Sequence, residues 1–155
     1  MCAYCVIIKK NSKMPITEAM PAKFVQTFDG EGRSGKGTAV NAVRCNLTGL
    51  GVDTHSIDQG LKFRGFANLA LVDGSVDVDS AVDLANFVAS EQVGRNLITL
   101  LGGVANLSEQ EKKQLLYTPD VTLISSRVGS LAAAHSVAES LLFQEVEDVF
   151  KDGMR

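Results

Sequence analysis

The densest chemistry in this chain lies in nine residues, GEGRSGKGT at Gly30–Thr38. Glycines allow a backbone to turn its N–H groups inward, and successive inward amides form a concavity for anionic oxygens. Lys36 adds a full positive charge suited to the β- and γ-phosphates of a nucleoside triphosphate. An apolar run, Lys23–Phe28, precedes the loop, and helical periodicity begins at Lys36. A strand before and a helix after is the context in which this spacing reads as a P-loop. The helix start contributes its positive dipole end. The set assigned to ATP is therefore Gly30, Glu31, Gly32, Arg33, Ser34, Gly35, Lys36, Gly37 and Thr38. The alternative is a glycine-rich turn with an incidental lysine.

Gly37 follows Lys36 directly and Thr38 comes one later, so no hydroxyl stands at the usual Mg²⁺ position. Mg²⁺ would be held mainly by phosphates and water, which this ion tolerates. No protein metal ligand is assigned.

The elements that must position the loop follow from periodicity. Lys23–Phe28 reads as a buried strand stopped by Asp29-Gly30. From Lys36, Val40, Val43, Leu47 and Leu50 line one helical face, with Gly51 past its end. Val52–Ile57 reads as a second strand and Gly60–Val72 as a second helix closed near Gly74. Asp79–Ser90 reads as a third helix with Val82, Ala85 and Val88 on one side. Asn96–Leu101 reads as a short strand. Ser108 and Glu111 match a capping box, and Thr118-Pro119 supplies an N-cap and a first-turn proline. A last helix runs from Ala132 to about Phe150. Strand, loop, helix, strand, helix predicts an α/β sheet with parallel strands.

Two further segments carry candidate residues. SIDQGLKFRGFANLAL, Ser56–Leu71, contains Asp58, Gln59, Phe63 and Arg64. YTPDVTLISSRVGSLAAAHSVAESLLFQEVEDVF, Tyr117–Phe150, contains Ser126 and Ala138. With the loop, these segments resemble the cytidylate kinase family of P-loop nucleoside monophosphate kinases. Asp58, Gly60, Arg64 and Leu71 match a family segment L-D-S/T-G-x-x-Y-R-x-x-A-L-x-A-L, with Phe63 in place of its tyrosine. Thr118, Pro119, Val121, Ser126, Val128, Val137, Leu141 and Leu142 match the third. The resemblance covers roughly Lys23 to Phe150.

It implies a three-layer α/β P-loop NTPase kinase fold, truncated before the third core strand. Residues 1–22 would be an irregular leader and 23–155 a partial kinase domain, with a monophosphate-binding insert at about 73–118. It implies transfer of the γ-phosphoryl of ATP to CMP or dCMP, a reaction catalysed mostly by positioning and charge neutralisation. Lys36, Asp58 and Arg64 would be the catalytic set. Asp58, Gln59, Phe63, Arg64 and Ser126 would face the acceptor nucleotide, with Arg64 on its phosphate and Asp58 ordering metal-bound water. Three plainer readings stay open. Arg64 can be a solvated helix charge, Asp58 a helix cap, and Ser126 a hydroxyl bonded to its own helix.

Departures from the family pattern bear on activity. Glu31 stands for a proline and Arg33 for a glycine in the loop. Gln59 replaces a small hydroxyl residue, and Ala138 stands where the family has a base-reading arginine. The lid arginines and the strand between the first and second strands, which relatives carry further on, are absent before Arg155. The missing C-terminal half is thus an expected partner. An ATP-binding chain without turnover, or a related kinase with another small acceptor, is the alternative.

Composition agrees with one folded domain. The chain has 155 residues, 45% hydrophobic and 21% charged, with a formal net charge of −3. That charge argues against a nucleic-acid partner. No apolar run approaches the roughly 20 residues needed to cross a bilayer. Lys9, Lys10 and Lys13 follow the short apolar stretch at the start instead of preceding it, unlike a secretory signal. A cytoplasmic location follows. Cys2 and Cys5 lack a second ligand pair and read as free thiols. Met14 and Met20 are alternative starts, since the recognisable pattern begins near Lys23.

Overall fold

The computed structural model describes residues 4–9, 23–28 and 35–152. Among these are three strands, β1 (Tyr4–Lys9), β2 (Lys23–Phe28) and β3 (Asp53–Asp58). Seven helices accompany them: α1 (Lys36–Gly49), α2 (Gln59–Asp73), α3 (Ala81–Ala89), α4 (Glu91–Ala105), α5 (Glu109–Leu116), α6 (Pro119–Val128) and α7 (Ala132–Asp152).

This overturns the expected three-layer α/β P-loop kinase fold with parallel strands. Helices dominate, and the one sheet among the described residues has the order β2-β1-β3. Both neighbouring pairs are antiparallel. The central strand is Tyr4–Lys9, from the segment expected to be an irregular leader. It fills the slot between β2 and β3 that the resemblance leaves empty. The apolar run of β1 is too short for its pattern to name its partners, and pairing across the chain cannot be read from local periodicity. No helix among the described residues is long and apolar enough to cross a membrane.

The chain forms two compact units, Met1–Gln59 with Leu142–Arg155, and Gly60–Leu141. In the first, α1 packs against β1 and β3. Its buried stripe is Val40, with Val43 and Leu47 half-buried, while Leu50 is exposed. The helix ends in a Schellman motif. The Gly51 N–H donates to the Thr48 carbonyl at 2.9 Å and the Val52 N–H to the Leu47 carbonyl at 2.9 Å. Gly51 takes φ 73, a left-handed conformation that glycine adopts without a Cβ penalty. On β3, Ile57 is buried under Leu142, Val146, Val149 and Phe150 of α7, residues spaced along one helical stripe.

The second unit is all helical. Phe63, Phe66, Ala67 and Ala70 of α2 are buried at the spacing of one helical face. Gly65 lies against α4 so closely that a Cβ there would meet Leu97 Cδ1 at 2.4 Å. The expected strand at Asn96–Leu101 is instead interior to α4. Val93, Leu97 and Val104 are its buried residues, a helical spacing that a six-residue window could not separate from a strand. In α3 the buried pair is Leu84 and Val88, and Val82 is exposed. The capping box at α5 forms as the sequence indicates. The Ser108 N–H donates to Glu111 Oε2 at 2.8 Å, and the Glu111 N–H to Ser108 Oγ at 3.3 Å. The Ser108 hydroxyl, and then its amide, hold the Glu111 carboxyl below its ordinary 4.5. Thr118 caps α6 through Val121 N–H at 3.3 Å, with Pro119 at the first position.

Candidate functional site

Of the nine loop residues, Gly30, Glu31, Gly32, Arg33 and Ser34 lie outside the described residues. The remaining four form the start of α1. Gly35 is the N-cap, with φ 83 and ψ 9, and it supplies no side-chain cap. A left-handed residue followed at once by right-handed helix is the alternation of hands that brings successive amides toward one point. The first turn holds no acidic residue, so nothing there opposes an anion at the positive end of the dipole. Lys36 and Gly37 are half-buried, and Thr38 is exposed.

Sheet register sets Asp58 beside the end of β2. Tyr4 is paired with Phe28 on one side and with Asp58 on the other. Since β1 runs against both neighbours, β2 and β3 run in the same direction. Their carboxyl ends therefore finish side by side, separated by two inter-strand spacings, or about 10 Å. The chain leaves Phe28 toward the loop that leads to Gly35, while Asp58, half-buried, closes β3 at the junction with α2. Lys36 and Asp58 belong to the same unit. Gln59, the first residue of α2, is 6% exposed.

The other expected residues belong to the helical unit. Phe63 is 3% exposed and packs edge-on against the His135 ring, centroids 5.1 Å apart. His135 Nε2 is 2.8 Å from the Gly129 carbonyl; a carbonyl only accepts, so Nε2 carries the proton there. Arg64 is committed to its own unit. Its Nη1 donates to the Leu116 carbonyl at 3.3 Å and to Thr122 Oγ1 at 3.2 Å. Its guanidinium lies 4.3 Å from the centroid of the Tyr117 ring, a cation–π contact. The arginine thus ties α2 to the end of α5 and the first turn of α6. It is neither the solvated helix charge nor a group whose contacts point to a ligand. Ser126 Oγ donates to the Thr122 carbonyl at 3.5 Å, the bond to its own helix that the plainer reading anticipates. Thr122 is therefore shared by Arg64 and Ser126.

Ala138, where the resemblance expects a base-reading arginine, has no exposed surface. A small residue there is a packing requirement. Leu116, Tyr117 and Thr122 escaped the sequence reading because their role depends on an arginine more than 50 positions away, as the 52- and 58-residue separations of its two bonds show. Lys62 also went unremarked, though it is 2% exposed. Its place on the buried side of α2, between Gln59 and Phe63, was the available signal.

Comparison of the chain with protein-family models, curated proteins and solved structures finds no match. Among the described residues no three His, Cys, Asp or Glu side chains gather as a metal-ligand set. What the described residues offer is a left-handed glycine directly before Lys36 at the start of α1, and a carboxylate, Asp58, at the end of β3 in the same unit.

Proposed function

We propose that this chain binds the phosphates of a nucleoside triphosphate at the start of α1 and transfers the terminal phosphoryl group to a nucleoside monophosphate, CMP or dCMP in the first instance. The observation that supports it most is the left-handed Gly35 set directly before Lys36 at an uncapped helix start. Asp58, at the neighbouring strand end, fits the part of ordering water on a Mg²⁺ held by the nucleotide. When bound, that ion neutralises phosphate charge. Lys36 binds and orients the donor phosphates, and the α1 amides take up charge on their oxygens. The reading carries with it a cytoplasmic setting.

The test has two stages. Calorimetry with ATP and Mg²⁺ should give saturable binding that Lys36→Ala abolishes without unfolding the chain. A coupled assay with CMP, dCMP and UMP should then give ADP. Absence of binding in the first stage rejects the proposal.

One observation favours a second reading, binding without turnover. Arg64, expected on the acceptor phosphate, spends Nη1 and its ring-stacking face inside the helical unit. Binding in the first stage with no ADP in the second supports that reading, in which a further segment or partner would complete the enzyme.

A further inference from the structure

We propose that the outer edge of β2 is a docking surface for a second copy of this chain, the two β2 strands pairing antiparallel about a two-fold axis at Gln26. The proposal stands apart from the phosphate-binding reading.

β1 is paired along its whole length on both sides, so β2 and β3 are the edges of the sheet among the described residues. An edge strand presents a row of unpaired N–H and C=O groups, a template for another strand. Val25, Gln26 and Thr27 are consecutive and all exposed, Val25 at 40%. Side chains alternate between faces along a strand, so neither face of β2 is covered there. Edges that stay single are blunted by charge, proline or a bulge. Phe24–Phe28 holds no charged residue and no proline, and the register of β2 with β1 runs unbroken.

Charge decides which edge pairs with its own copy. Two β3 strands laid antiparallel over their full length set Asp53 opposite Asp58 at both ends, and like charges directly opposite are destabilising. Two β2 strands bring no such pair together, because their single charged position, Lys23, falls at opposite ends. With Gln26 on the axis, Val25 stands opposite the partner's Thr27 and Phe24 opposite the partner's Phe28. That register matches β-branched with β-branched and aromatic with aromatic positions. Moving the axis to Val25 sets Gln26 opposite Phe24 and Thr27 opposite Lys23, which matches neither. Because the same patch meets itself, the assembly closes at two chains.

The test uses the full chain. Sedimentation should show a dimer that dissociates on dilution. Directly opposed antiparallel residues have Cα atoms about 4.5–5.5 Å apart, within disulfide reach. With Cys2, Cys5 and Cys45 replaced by serine, Gln26→Cys should therefore link two copies on mild oxidation. Val25→Cys, set off from the axis, should not. Val25→Lys with Thr27→Lys sets like charges opposite each other twice and should weaken dimerisation about tenfold or more. Val25→Lys with Thr27→Glu sets opposite charges there and should restore it. Both positions are exposed, so circular dichroism should match the wild type in each variant. A chain that stays monomeric at every concentration overturns the proposal. So does a dimer that Gln26→Cys fails to link, or that Val25→Cys links as readily. A dimer that withstands the paired lysines, or that the lysine–glutamate pair leaves weakened, counts against it equally. Species that keep growing with concentration would mean open-ended pairing of β2 with β3 and would also overturn it.

Discussion

Phe28 and Asp58 stand opposite the same residue, Tyr4, from its two sides. One leads into the glycine-rich loop, and the other is the carboxylate nearest in register to where that loop begins. The sheet holds them as two parallel outer strands kept apart by an antiparallel middle strand. This arrangement, with both neighbouring pairs antiparallel, departs from the expected parallel sheet.

Gly35 should be sensitive to any side chain. A Cβ there has open space around it, so the cost lies in the backbone, φ +83. Gly35→Ala should lose about 1–2 kcal/mol of stability. It should also lose nucleotide affinity, because escape from the left-handed region turns the following amides. Urea unfolding and calorimetry read the two effects separately.

Arg64 should behave as a structural residue of the helical unit. Arg64→Ala removes two charge-assisted bonds and a ring contact, and should cost about 2–3 kcal/mol. Arg64→Lys should recover less than half, since an ammonium cannot both stack on Tyr117 and serve Leu116 and Thr122. Chemical denaturation of the three proteins checks this. Equal stability would return Arg64 to the role of a free ligand-binding group.

The contact between Gly65 and Leu97 sets a steric limit. Gly65→Val should destabilise by about 1–3 kcal/mol through overpacking, since Leu97 is fully buried and cannot swing outward. Leu97→Ala in the same chain should relieve part of that loss. A double-mutant cycle in urea measures the coupling.

Acid should act on α5 through Glu111. The folded-state pKa is lowered by the Ser108 bonds, so the contribution is fully present above the ordinary value of 4.5. It is lost as pH falls through the lower folded value. Glu111→Gln should remove that part of the pH dependence while leaving the profile above 4.5 unchanged, as thermal melts across pH 3 to 6 would show.

Local signals were the legible ones. Lys23–Phe28 is a strand over the expected residues, although Val25, Gln26 and Thr27 are exposed where a buried strand was expected; Gly51 ends α1 in the left-handed conformation, and Ser108 and Thr118 cap the helices assigned to them. Each of these is decided within a few positions by backbone chemistry. Asn96–Leu101 was misread because six apolar-rich residues fit a strand as well as a helix. Tyr4–Lys9 was missed because both its partners come later in the chain, β2 beyond two prolines and β3 beyond β2 and a whole helix. For the same reason the parallel fold could not be tested by periodicity. Which strand pairs with which is a long-range fact. At the candidate site, the start of a helix at Lys36 was readable from the motif. The engagement of Arg64 with Thr122 and Tyr117 was not, since nothing local marks a cation–π partner.

The two units differ in how the chain supplies them: Gly60–Leu141 is one continuous stretch, and the other is assembled from both flanks of it. Helices with near neighbours can form on the microsecond-to-millisecond scale, whereas strands paired across long separations wait for loop closure. During synthesis β1 emerges ahead of both its partners, and Ile57 has no cover until the last turns of α7 are made. Nucleotide-binding competence should therefore appear late in refolding, after the helical signal is complete, and chaperone dependence should fall on the sheet.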